Sequence, residues 1–153
     1  MRVSRLKRSQ IPNWLRLRAG LWPALLPEEH RRAMTDLLAD EDFNAVFVSL
    51  DRAGRLTGFV EVTLRMSAEG CTTSPVGYLE ALYVVPKARL KGTGRALTDK
   101  AEAWAASQGC REMASDAAMD DEDGRRAQAR LGYQEVSQLV HFRKVLARKA
   151  PSR

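Results

Sequence analysis

The chain has 153 residues, 44% hydrophobic and 29% charged, which suits one domain with a sizeable core and excludes a disordered segment. No apolar run approaches the roughly 18 residues that span a bilayer, and the basic N-terminus lacks the apolar core of a signal peptide, so a cytoplasmic protein is expected. The net charge of +6 is uneven: residues 1–18 carry six Arg/Lys and residues 143–153 five, with no acid in either, while residues 19–142 set 14 basic against 19 acidic side chains, a net of −5. An acidic body attracts cationic ligands, and the basic ends read as solvated tails.

In chain order, RVSRL reads as a short strand. Pro12 with Trp14, Leu15, Leu17 and Leu21 predicts a helix, proline being tolerated in its first turn, and Trp22–Pro23 ends it. PEEHRRAMTDLLAD predicts a second helix, with Pro27 and acids at its start and Met34, Leu37 and Leu38 on one face. Asn44–Leu50 and Leu56–Arg65, joined across Gly54, form a β-hairpin by their Val, Phe and Thr content. Ala68–Pro75 reads as a loop, and VGYLEALYVV as a third long strand ending at Pro86. A helix with Leu97, Ala101, Trp104 and Ala105 on one face follows, closed by Gly109. REMASDA is a further strand, DDEDGRRAQARLGY a helix stopped by Gly132, and QEVSQLVHFRKVL one or two closing strands. The order β-α-α-β-β-β-α-β-α-β predicts an α/β fold: a mixed, mostly antiparallel twisted sheet with helices on both faces, in a single domain over residues 1–153. Cys71 and Cys110 have no CxxC spacing and the only histidines are His30 and His141, so free thiols and no metal centre are expected.

The corner between the third long strand and its helix, RLKGTGRAL, is the first chemical signal. A P-loop needs lysine after its second glycine, and neither glycine here has one. The dinucleotide fingerprint G-x-G-x-x-G fails at Leu97. What remains is R-x-x-G-x-G, formed by Arg89, Gly92 and Gly94 between a strand and a helix. Backbone N–H groups at such a turn and the positive helix end suit a pyrophosphate, glycines let it approach, and Arg89, Lys91 and Arg95 add charge. This corner resembles the acyl-CoA loop of the GCN5-related N-acetyltransferases.

Two carboxylates flank the corner. Glu80 sits in an otherwise apolar strand and must face water or a basic partner such as an arginine of the same sheet, because a carboxylate buried alone costs several kcal/mol. Asp116, alone, is a helix cap by default. On neighbouring strands the two can line one cleft, where anions hold a protonated amine and one of them takes its proton.

The segments SPVGYLEALYVVP, GCREMASDAAMDDEDG and ARLGY, with LRLRAGLWP and the Gly70–Val76 loop, are similar to the aminoglycoside 6′-N-acetyltransferases of that superfamily. The resemblance implies acetyl-CoA as co-substrate, no metal, direct acetyl transfer to an amine, an aminoglycoside or other polycationic acceptor, and a homodimer. It assigns Glu80 and Asp116 to the acceptor, with Asp116 as proton acceptor, and Trp22 to the drug pocket. Leu82, Tyr83 and Val84 would pair with the pantetheine arm, and Arg89, Leu90, Lys91, Gly92, Thr93, Gly94 and Arg95 would cradle the pyrophosphate. Asp121 stands near the cofactor where relatives often carry asparagine. Phe142 replaces an expected tyrosine, leaving Tyr133 and His141 as proton donors by type, or water. Another small polyamine, an amino acid or a protein amine is the nearest rival acceptor. A nucleic-acid-binding module using the basic ends is the rival from another class, and the intact glycine corner argues against it.

Overall fold

The computed structural model describes residues 1–148 and Pro151. Strands β1 (Arg2–Arg5), β2 (Asn44–Leu50), β3 (Leu56–Arg65), β4 (Val76–Val84) and β5 (Met113–Ser115) form one sheet in the order β1-β2-β3-β4-β5. All neighbours are antiparallel except β4 and β5, which run parallel. Helices α1 (Ile11–Leu21) and α2 (Pro27–Ala39) lie between β1 and β2 in sequence. Helix α3 (Thr93–Ser107) links β4 to β5, and α4 (Glu122–Arg130) follows β5. The mixed sheet expected from the sequence is thus observed.

Local chemistry explains the boundaries. The β2–β3 turn closes because the Asp51 carboxylate accepts the N–H groups of Ala53 and Arg55, each at 2.9 Å, while Gly54 takes a left-handed φ of 79°. Pro27 opens α2, and Glu29 reaches back to the Leu26 N–H at 2.7 Å.

Period-two alternation splits the core across the two faces of the sheet. On one face Val46, Val48, Leu50, Phe59 and Ala81 pack against Trp14 and Leu17 of α1 and Met34 of α2. On the other, Phe47, Val60, Val62 and Leu79 pack against Leu97 and Ala101 of α3.

The first face also holds a buried ion pair. Arg18 donates to Glu61 Oε1, which the Trp14 indole N–H also reaches at 3.0 Å, and both charged side chains are at most 4% exposed. Burial pushes the Glu61 carboxyl up, against the pull of the Arg18 guanidinium.

The closing strands expected over QEVSQLVHFRKVL are not formed. Residues 133–148 have no regular structure, and Val136, Leu139, Val140, Phe142, Val145 and Leu146 are all more than 60% exposed. The alternating pattern is strand-like, but no strand among the described residues pairs with it. The strand predicted from REMASDA also shrinks to three residues.

Candidate active site

The site begins at an irregularity in β4. Leu79 pairs with Val62 and Ala81 with Glu61, so Glu80 is an extra residue with no partner on β3. Such a bulge re-aims a side chain and bends the strand. Glu80 turns to the face that carries α1 and α2, where Thr63 Oγ1 donates to its Oε1 at 2.7 Å. Arg65 donates to the same oxygen through Nε at 3.1 Å and through a terminal nitrogen at 2.8 Å, and that nitrogen also reaches Oε2 at 3.0 Å. The arginine of the same sheet anticipated for Glu80 is therefore Arg65.

Asp116 follows β5 and is not a helix cap. Its Oδ2 accepts the Tyr78 hydroxyl at 2.5 Å, and the Arg65 guanidinium lies 3.4 Å from the centre of the Tyr78 ring. Tyr78 and Arg65 thus tie the two carboxylates into one cluster on one face. Tyr78 was not anticipated, although its position two residues before Glu80 on a strand carries the signal.

Burial, and then the bond to Asp116, push the Tyr78 phenol from 10.0 up to about 12. Between those values the unfolded chain releases the proton while the folded chain keeps it, so stability falls as pH rises through that window and is unaffected below it. Tyr78→Phe is expected to flatten this slope in urea midpoints measured at pH 9 and pH 11. Tyr133, whose phenol burial also pushes up, and the thiols of Cys71 and Cys110, which burial raises from 9.0, share the remainder, so Tyr78→Phe/Tyr133→Phe should flatten the slope further without removing it.

Beyond Glu80 the sheet opens. Strand β5 pairs only with Gly77–Leu79, so Leu82, Tyr83 and Val84 pair with β3 on one side and with nothing in β5 on the other. An edge of this kind offers main-chain groups to an extended ligand.

The open edge leads to the glycine corner. A short 3-10 turn (Pro86–Ala88) is followed by exposed Leu90 at φ 58° and by Gly92 at φ 81°, the residue that caps α3. Gly92 is needed for its conformation. Gly94 is not: it is helical, and a Cβ there would find only Val84 Cγ2, at 4.0 Å. Its absent side chain instead bares the helix start. The first helical bond runs from the Ala96 N–H to the Gly92 carbonyl at 3.0 Å, which leaves the N–H groups of Thr93, Gly94 and Arg95 for an outside acceptor. Thr93 itself is buried, its hydroxyl on the Ala88 carbonyl. The three cations of the corner are exposed, and each donates to a main-chain carbonyl: Arg89 to Val84, Lys91 to Lys87 and Arg95 to Arg130.

The other expected site residues lie as follows. Trp22 is half-buried at the end of α1, stacked on His30 with Arg18 4.8 Å from its ring, on the same side of the sheet as Glu80. The Asp121 carboxylate caps α4 through the Gly124 N–H at 2.9 Å. Tyr133 donates to Glu102 of α3 at 3.0 Å, and His141 is exposed in the unpaired arm. Both cysteines are free, and among the described residues no group of three or more His, Cys, Asp or Glu could hold a metal ion.

An anion-receptive helix start, an open strand edge and a carboxylate cluster therefore adjoin along β4. This arrangement can hold a phosphorylated, extended acyl carrier beside a cationic amine. Comparisons with known proteins agree. Residues 11–133 match the model of the acetyltransferase (GNAT) family. The chain is 40% identical to an aminoglycoside N(6′)-acetyltransferase type 1 from Serratia marcescens, over 87% of this chain and 91% of the relative. It is 38% identical to one from Klebsiella aerogenes, over 88% and 90%. Among solved structures it is similar to apo aminoglycoside 6′-N-acetyltransferase AAC(6′)-IG from Acinetobacter haemolyticus. The TM-score is 0.88 and the identity 32%, with 96% of this chain and all of the other covered. It is also similar to AAC(6′)-Iy in complex with a bisubstrate analogue of CoA and acetylneamine, with TM-score 0.87, 27% identity and coverage of 95% and 98%.

Proposed function

This chain belongs to the acetyltransferase (GNAT) family, and from that premise we propose that it transfers acetyl from acetyl-CoA directly to the 6′-amine of an aminoglycoside. The observation that carries the acceptor class is the pair of carboxylates, Glu80 and Asp116, joined through Tyr78 and Arg65 beside the open edge of β4. Two anions within one cluster suit a polycation and would gain nothing from a neutral acceptor.

The enzyme is an acetyl-CoA-dependent N-acetyltransferase, and bound acetyl-CoA supplies the acyl group as an activated thioester. The corner from Arg89 to Arg95 fits its pyrophosphate. Arg89, Lys91 and Arg95 offer charge, Thr93, Gly94 and Arg95 offer free N–H groups, Leu90 and Gly92 give the loop its shape, and Gly94 bares the helix start. The edge from Leu82 to Val84 would align the pantetheine arm by main-chain hydrogen bonds, and one N–H there would polarise the thioester carbonyl. Glu80 and Trp22 orient the amino-sugar. An amine is protonated at neutral pH and must give up a proton to become a nucleophile. Asp116 accepts it through Oδ1, directly or through water, while Tyr78 holds Oδ2. Tyr133 is already donating to Glu102, Phe142 has no hydroxyl and His141 is exposed in the arm, so water protonates the departing thiolate.

The reading also includes one N-acetyltransferase domain over residues 1–153, a cytoplasmic location where acetyl-CoA is at hand, and a homodimer. Among the described residues no helix is long and apolar enough to cross a membrane. For the dimer, the support is the unpaired arm, whose six exposed apolar side chains a second copy would cover. Sedimentation equilibrium at micromolar concentration should return twice the 17.1 kDa chain mass, and a monomer would refute it.

The deciding experiment follows CoA thiol release from acetyl-CoA with a panel of amines. Turnover of kanamycin- and gentamicin-type drugs with a free 6′-amine, and none with 6′-hydroxyl analogues, is expected. Turnover confined to other polyamines, amino acids or protein amines would replace the acceptor and keep the chemistry.

A further inference from the structure

On the reading above, Glu80 is a docking point for the acceptor, yet its carboxylate is already engaged. It receives four donor contacts: one from Thr63, two from Arg65 on the same oxygen, and one from Arg65 on the other. A carboxylate offers about four lone-pair sites. The guanidinium that takes most of them is also stacked on Tyr78, the residue that donates to Asp116. A cation of the protein itself therefore sits at the junction of the two anions.

We infer that Arg65 is an internal competitor for the acceptor site, a cation that the acceptor's ammonium displaces from Glu80. The strength of the contact fits such a role. The Arg65 and Glu80 side chains are 43% and 29% exposed, so the pair is accessible to water and to a competing cation. Exposed pairs contribute at most about 1 kcal/mol, unlike the enclosed Arg18–Glu61 pair, which no guest could open. Arg65 also lowers the net charge of the cluster from −2 to −1. Any acceptor must open this pair before its ammonium reaches Glu80, and one with several ammonium groups can replace the guanidinium and still face Asp116.

The test is isothermal titration of wild-type, Arg65→Gln and Arg65→Met protein with kanamycin and, in parallel, with spermine. Arg65→Met keeps an apolar stem over Tyr78, and a side chain this exposed tolerates truncation. Both variants are expected to bind both amines about fivefold more tightly, the size of one exposed ion pair, and to show a steeper loss of affinity with salt. The KM for acetyl-CoA should not change, which reports an intact fold. Unchanged or weaker amine binding in the two variants overturns the inference and makes Arg65 a brace for Glu80. Wild-type protein that acetylates no aminoglycoside sinks the proposed function instead, and the spermine titration still decides the role of Arg65.

Discussion

Asp116→Asn is expected to lower kcat/KM for the aminoglycoside by about a hundred- to ten-thousandfold, the usual value of a positioned general base, with little change in acetyl-CoA affinity. Asparagine is isosteric and its amide oxygen can still accept the Tyr78 hydroxyl, so the geometry at β5 survives. On the proposed role, what disappears is the charge that would attract the ammonium and the basic oxygen that would take its proton. The loss should be concentrated in kcat, because Glu80 continues to contribute to binding. A mirror-image result is expected for Gly92→Val. At φ 81° a β-branched residue is strained, and the helix start that would receive the pyrophosphate is displaced. Acetyl-CoA binding should then fail while the acceptor still titrates the carboxylates. Calorimetry with each ligand separately distinguishes the two variants, and an Asp116→Asn protein that cannot bind acetyl-CoA would contradict the role given to Asp116.

Glu61→Gln is expected to cost about 3–5 kcal/mol of stability, the cost of breaking a buried ion pair from one side. Arg18 would remain enclosed at 4% side-chain exposure with a neutral partner, its only other side-chain hydrogen bond among the described residues being to His30 Nδ1 at 3.4 Å. In a chain of this size that lowers Tm by roughly 10 °C, well clear of the spread for surface substitutions. The double variant Arg18→Met/Glu61→Leu should recover most of the loss, since an apolar pair of similar volume is often no worse than a buried salt bridge. Thermal melts of wild type, Arg18→Met, Glu61→Leu and the double variant complete the cycle. Simple additivity would mean that the two side chains are not coupled.

The parts of this molecule that were legible in the sequence are those fixed by neighbours along the chain. The bounds of β2 and β3 follow from Asp51 and Gly54 between two runs of branched residues, and α2 from Pro27 and the acids after it. The glycine corner is equally local, since its strand, turn and helix are contiguous. Glu80 was half legible. Its need for a basic partner follows from its apolar surroundings, but the choice of Arg65 depends on a bulge that shifts the register of β4 against β3. Arg18 carried a signal that apolar patterning hides: it shares the face of Trp14, Leu17 and Leu21, so a charge had to be buried there. Its partner lies 43 residues away and leaves no trace in a local window. The arm after Tyr133 was misread for the same reason. Alternation states which side chains share a face, but a strand exists only in relation to another strand.

The division of the core between the two faces of the sheet has a consequence for how such a protein can change over generations. On the proposed function, the residues that would recognise the acceptor, Trp22, Thr63, Arg65, Tyr78 and Glu80, lie on one side, whereas the helix that would meet the donor is anchored by Leu97 and Ala101 on the other. Sites that share no packing partner add nearly independently in free energy, and here Tyr83, which packs on the cluster of Trp22 and lies beside Arg89, links the two. Drift toward a new drug can thus proceed through substitutions on the first side away from Tyr83 while affinity for the universal donor is largely inherited.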